Sequence, residues 1–278
     1  MEIACSKGAL RLLRLFFAAL AVFLYAPILL LGLFSFNDNP TPAFPLSHLT
    51  VKWYKDFLSN EQLMRALRAS LLVATTSSVI TVVLAVAVSF ALVRRQFAGK
   101  SFVSALVLSP LVIPYLVFGI SLLILFKTVD QVMTNVFGFY IGLGLHAVVI
   151  GHVVVSLPYA VLTIVPRLER LSLSLDEAAR DLGANASQTL RRVTLPLLFP
   201  AILSAFLIAF TLSFDEYAIA SFLAGSTTTW PVYLFAQLRF PVLLPQIIAV
   251  SVIIMSLSIV LVVGAEVFRR RAERKLAG

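Results

Sequence analysis

Charge and cysteine are both scarce in this chain, and the two shortages exclude different things. Only 13% of the 278 residues are Asp, Glu, Lys or Arg, against about 25% in a soluble domain. A soluble fold of this length cannot hide a residue set that is 60% apolar with a mean hydropathy of +0.99, so much of it faces lipid. The one cysteine, Cys5, excludes an internal disulfide and argues against a thiolate-bound metal. Histidine is rare too. His146 and His152 are six residues apart with no third ligand nearby, which points to packing or hydrogen bonding rather than a metal site. No GxxxxGK[ST] run occurs, and the cluster Gly138, Gly142 and Gly144 lacks the lysine that would make it a phosphate cradle. No paired acid and base share a depth, so no catalytic residue is assigned. The net charge of +9 is split between long apolar blocks, a distribution suited to anionic lipid headgroups and not to nucleic acid.

What is present is apolar length. Roughly twenty apolar residues cross a hydrocarbon core, and six blocks qualify: Leu15–Phe34, Ala69–Val93, Ser101–Phe126, Gly144–Val165, Val193 to just before Asp215, and Val242–Ala265. The expected fold is an all-α membrane protein of six transmembrane helices. Residues 1–14 form an N-terminal arm, 15–268 the membrane domain, and 269–278 a basic tail. The first block lacks the small-residue cleavage site of a secretory signal. Sixteen of the twenty-two Lys and Arg residues fall in the segments that are internal if the N-terminus is cytoplasmic. Both termini are therefore expected inside. Pro110 and Pro114 are expected to kink or break the third block. A short amphipathic helix is expected around Val51–Leu63, with Trp53, Tyr54, Phe57 and Leu58 at headgroup level.

The segment 167–192 is polar and cytoplasmic on this topology, yet it reads as two short helices. Ser174 to Glu177 fits a capping box, Gly183 suits a left-handed helix end, and Asn185 to Gln188 fits a second box. Pro196 is then tolerated in the first turn of the next span. Glu177-Ala178-Ala179, three residues, Gly183, nine residues, Val193, one residue, then Leu195-Pro196 resembles the Glu-Ala-Ala loop of binding-protein-dependent ABC import permeases at every position. Ser35-Phe36-Asn37, Lys52-Trp53-Tyr54, Phe97 to Lys100 and Phe210 to Asp215 resemble the spermidine/putrescine permease subfamily.

The resemblance implies a type I importer permease in the bacterial cytoplasmic (inner) membrane. It further implies two ABC ATPase subunits that use ATP and Mg2+, an external solute-binding protein, and a second permease that is either a related chain or another copy of this one. No cofactor is expected on this chain. Glu177, Ala178, Ala179, Gly183, Leu195 and Pro196 are the expected ATPase-coupling residues. Asp215 and Glu216, just past the fifth apolar block, are suited to attracting an amine solute, with Tyr217 or Trp230 supplying a cation-facing ring. Asp215 is the preferred pathway residue because neighbours on a helix diverge by about 100°. Glu216 stands where close polyamine permeases carry a second aspartate, and Arg68 where many relatives have Asn. An opine or amino-acid derivative is therefore the alternative solute. The alternative class is an ion-coupled secondary transporter, disfavoured by few ionisable groups in the spans and no inverted repeat.

Overall fold

The computed structural model describes residues 7–39, 41–240 and 243–277, with side chains described at 8–39, 41–240, 243–260 and Val263. Cys5, Val242 and the side chains of the basic tail lie outside the described residues. Two compact units form, Met1–Glu61 with Ala236–Leu257, and Gln62–Phe235 with Ser258–Gly278.

The first unit opens with α1 (Lys7–Phe34), an apolar helix whose side chains are mostly exposed. The chain then folds on Asn37. Asn37 Oδ1 accepts from the amide and hydroxyl of Ser47 at 3.1 and 3.0 Å, and its carbonyl accepts from Trp53 Nε1 at 2.8 Å. Trp53 and Tyr54 belong to α2 (Lys52–Ser59), and Tyr54 Oη meets Ser35 Oγ at 2.6 Å. The expected aromatic anchor is thus corrected at two positions. Trp53 is only 8% exposed, because an indole N–H with a backbone acceptor at hand is better satisfied inside than at the headgroups. Leu58 alone of the four is exposed to any large extent.

In the second unit, α3 (Glu61–Arg94) is 34 residues long, about 51 Å at the helical rise and so well beyond a ~30 Å hydrocarbon core. It begins eight residues before the apolar block that announced it. Its buried stripe is small and recurs at helical spacing: Ala66, Ala69, Ser70, Val73, Ala74, Ser77, Ser78, Thr81, Val82, Ala85 and Ser89. Small residues let helix backbones approach closely where lipid supplies no hydrophobic drive between helices.

The third apolar block is broken, as its prolines require. α4 (Lys100–Leu108) ends in a 3-10 turn at Ser109–Leu111, Pro114 is extended at φ −57° and ψ 130°, and α5 (Tyr115–Phe137) follows. The long helix is therefore 115–137, a correction to the expected 101–126. Pro114 has no N–H to offer the carbonyl four residues back, so the helix restarts. α6 (Leu145–Arg170) is the most buried helix and packs against α3 and α9 through Val82, Ala85, Ala160, Val161, Ile164 and Ala205.

After α6 come α7 (Leu173–Asp181), α8 (Ala186–Thr189), a π turn at Leu190–Thr194 and α9 (Leu195–Phe214). The short α10 (Ala218–Leu223) lies in the interior against α5 and α6, with Ile219, Ala220 and Leu223 fully buried. It fits because Gly151 has no side chain: a Cβ there would sit 2.6 Å from Ile219 Cγ2. The last elements are α11 (Trp230–Gln237) and α12 (Leu244–Ala277). Among the described residues five helices are long and apolar enough to cross a membrane, with shorter apolar helices at Lys100–Leu111 and Leu244–Val260. The fold is all-α and multi-pass.

Candidate functional site

Two places concentrate polar chemistry, both in the second unit. The first is the loop from α6 to α9. Ser172, not Ser174, caps α7: it is extended at φ −61° and ψ 134°, and its hydroxyl accepts from Ser174 N at 3.2 Å. Ser174 is inside the helix and bonds the capping hydroxyl at 2.6 Å. The cap thus lies two residues earlier than expected and the first capping box does not form: the third helical residue is Leu175, and Glu177 is exposed instead of reaching back to the cap.

The C-terminal end of α7 behaves as its sequence requires. Gly183 lies at φ +84°, its N–H bonds Arg180 O at 2.8 Å, and Ala184 N bonds Ala179 O at 3.0 Å. That pair of bonds is the Schellman motif, and the left-handed residue in it is the reason for glycine. The second capping box is complete, with Gln188 N to Asn185 Oδ1 and Asn185 N to Gln188 Oε1 both at 2.9 Å. The π turn then carries the chain into α9 without a break. Leu195 N bonds Leu190 O across the wider turn, and Pro196, which has no N–H, follows where the ladder has already been rearranged.

Of the expected coupling residues, Glu177, Ala178, Gly183 and Pro196 are exposed, while Ala179 and Leu195 are half-buried. Leu182 at the tip is 90% exposed, a large apolar side chain the sequence reading did not single out. Leu195 and Pro196 line an open apolar groove of about 560 Å³ with Arg191, Phe199 and Ile202.

The second place is a hydrogen-bonded chain across the interior. Ser77 of α3 donates to Ser213 Oγ at 2.8 Å, Ser213 Oγ lies 2.7 Å from His152 Nδ1, and His152 Nε2 lies 3.2 Å from Glu216 Oε2. The Glu216 carboxylate also accepts from Ile219 N at 2.9 and 3.0 Å and Ala220 N at 3.1 Å. One proton arrangement fits these contacts: Nδ1 accepts from Ser213, Ser213 accepts from Ser77, and Nε2–H faces the Glu216 carboxylate at 3.2 Å. Carboxylate, imidazole and hydroxyl in series are the parts of a hydrolase triad. Here, however, Glu216, His152 and Ser213 are 6, 1 and 4% exposed, so no substrate reaches the hydroxyl. The chain joins α3, α6, α9 and α10.

The four expected pathway residues separate accordingly. Asp215 is exposed at the end of α9, while Glu216 next to it faces inward. Tyr217 is half-buried with its ring 4.6 Å from that of Phe235. Trp230 is 4% exposed, and its backbone N–H bonds Ser70 Oγ at 2.8 Å, so its ring offers no open face in this conformation. Sequence reading missed Ser77 and Ser213, because small polar residues in apolar helices look the same whether they meet or not. His152 was read as a packing or hydrogen-bonding residue, and it is the centre of the chain. No group of His, Cys, Asp and Glu suited to a metal occurs among the described residues.

Residues 82–274 match the family model of the binding-protein-dependent transport system inner membrane component. The chain belongs to this family of ABC import permeases. It is 32% identical over 256 residues, 92% of each chain, to the spermidine/putrescine transport system permease protein PotC of Escherichia coli (strain K12). It is 34% identical over 235 residues, 84% of this chain and 82% of the relative, to the putrescine transport system permease protein PotI of the same strain. In structure it is similar to a chain of a bacterial ABC transporter involved in import of the acidic polysaccharide alginate, with a TM-score of 0.72, 16% identity and 95 and 96% coverage. A chain of the MetNI methionine transporter aligns at a TM-score of 0.56, 19% identity and 77 and 97% coverage. The protein is a multi-pass inner-membrane permease subunit of an ABC importer, distinct from the ATPase that drives it. This assignment sets aside the secondary-transporter alternative.

Proposed function

We propose that the chain is one half of the membrane pore of a polyamine importer. Six spans cross the membrane with both termini cytoplasmic, Leu244–Val260 contributing the apolar part of the last. A second permease, two ATPases and an external solute-binding protein complete the assembly. The loop around Glu177, Ala178, Ala179, Gly183, Leu195 and Pro196 docks on an ATPase, and its displacement rotates the helices that open the pore to one side or the other. Asp215 is the pathway carboxylate for a cationic solute, with Tyr217 beside it.

The observation that carries this reading is the division of labour between neighbouring carboxylates. Glu216 is held by an imidazole and two backbone amides, whereas Asp215 stays exposed at the end of a membrane helix. The replacement of a second aspartate by Glu216 therefore concerns packing more than solute, which removes one motive for an opine or amino-acid derivative. The polyamine class is supported by the two relatives named for spermidine and putrescine. The test is a ligand panel on the cognate binding protein, followed by uptake into proteoliposomes holding the whole importer. Micromolar binding and ATP-dependent uptake of putrescine or spermidine are expected; capture of only zwitterionic or anionic solutes overturns the polyamine assignment.

A further inference from the structure

Arg94 ends α3, which carries none of the motif residues, and its guanidinium reaches into the loop. Its Nη2 donates to Leu171 O at 3.1 Å, at the junction where α6 gives way to the cap of α7, and lies 3.9 Å from Asp176 Oδ2. The other oxygen of the same carboxylate accepts from Thr194 Oγ1 at 3.1 Å. Thr194 is the last residue of the π turn and only 4% exposed. One carboxylate on α7 thus stands between the cytoplasmic end of α3 and the base of α9, and all three side chains are mostly shielded from water. Shielding matters, because an exposed ion pair contributes about 0–1 kcal/mol and holds nothing in place.

We infer that Arg94, Asp176 and Thr194 form a clamp that converts displacement of the Glu177 loop into movement of α3 and α9 together. This inference rests on the reading that the loop docks on an ATPase. Three features support it. The loop has rigid ends, a Schellman turn and a complete capping box, so a push at its tip is transmitted and not absorbed. Through the backbone the push reaches α6 and α9, the helices covalently joined to the loop, and beyond them α3 only by packing within the bundle and the Ser77–Ser213 bond. Arg94 adds a direct link to α3, which has no covalent connection to the loop. The clamp also meets α9 at a π turn, where the helix hydrogen-bond ladder is already rearranged and a change of register needs the fewest broken bonds. Asp176 is therefore a positioning residue for transport, adjacent in sequence to the motif glutamate but facing the opposite partner.

The test uses the assembled importer in proteoliposomes with binding protein at saturation, measuring uptake per ATP hydrolysed and, separately, disulfide cross-linking from Leu182→Cys in a Cys5→Ser background to a cysteine in the ATPase cleft. Thr194→Val keeps the side-chain shape and removes the hydroxyl. Arg94→Ala removes the guanidinium from a helix that carries none of the docking residues. Each is expected to lower uptake per ATP by about tenfold, the order that one lost hydrogen bond to a charged group supports, while the cross-link forms as in the parent. Arg94→Lys keeps the charge but replaces the fixed guanidinium plane with a flexible point donor, and an intermediate value is expected from it. Parent-level uptake per ATP in Thr194→Val and Arg94→Ala, with the cross-link intact, overturns the clamp and leaves the docking reading standing. Loss of the cross-link in those variants overturns it as well, assigning the residues to docking. Absence of the cross-link in the parent overturns the docking reading and the clamp with it.

Discussion

At the scale of single residues, the interior chain shows how an apolar bundle tolerates a carboxylate. Glu216 is buried, yet its oxygens meet two amides and an imidazole, and His152 depends in turn on Ser213. The cost of removing one member follows from what is left behind. His152→Ala leaves a buried carboxylate short of a donor and Ser213 without its acceptor, an expected loss of about 2–3 kcal/mol. Ser77→Ala deletes only the outermost donor and is expected to cost about 1 kcal/mol or less. Thermal unfolding of the purified variants in detergent checks the order. Equal melting temperatures for the two variants would show that the imidazole matters no more than the terminal hydroxyl. Asp215 has the opposite character. Being exposed, it contributes little to folding, so Asp215→Asn is expected to leave assembly and melting temperature unchanged. Uptake should fall about tenfold if the charge attracts a cation, and normal uptake by the assembled variant sinks the charge-assisted pathway.

At the scale of elements, legibility followed range. The end of α7 and the start of α8 were readable because a Schellman glycine and a capping box are made within six residues of chain. The start of α7 was misread by two positions because Ser172 and Ser174 are equally good caps by composition. Only the extended backbone at Ser172 decides between them. The break in the third apolar block was foretold by Pro110 and Pro114, but not which side of it becomes the long helix. Hydropathy is nearly continuous across the break, so it holds no information on the point. The chain Ser77–Ser213–His152–Glu216 was illegible because its first link spans 136 residues, and no local pattern distinguishes a serine that meets a partner from one that faces lipid.

The same element carries a prediction. Gly183→Val places a β-branched residue at φ +84°, a region such side chains adopt only under strain. Nothing lies within 4 Å of the added Cβ, so the damage is to the turn and not to packing. Membrane insertion should be normal while ATP-coupled uptake drops by about an order of magnitude, as a strained residue costs about 1–3 kcal/mol. Parent-level uptake at normal expression would show that the left-handed turn is dispensable.

At the scale of the whole molecule, charge bears on how many times the chain crosses the membrane. Among the described residues five helices qualify by length and apolar composition, an odd number that would put the termini on opposite sides. Counting Leu244–Val260 as a crossing makes six and puts both on the same side. The basic residues choose between these. Arg94, Arg95 and Lys100 follow one span, and Arg167, Arg170, Arg180, Arg191 and Arg192 surround the loop before α9. Lys and Arg accumulate on the cytoplasmic face, so the 94–100 and 167–192 segments are expected to share that face, with 115–137 and 145–170 as an outward and return crossing between them. α9 then leads outward, and the remaining helix must return if residues 269–275, with five Lys or Arg among them, are to lie inside. Single cysteines in a Cys5→Ser background test this with an impermeant maleimide on intact cells. Ser187→Cys and Ala277→Cys are expected to label only after the membrane is opened, and Ser59→Cys to label at once. Immediate labelling of Ala277→Cys together with protection of Ser187→Cys would make the chain a five-span protein and end the six-span reading. The docking loop would stay inside in either case, because its placement depends on the crossings before α9 and not on the one after it.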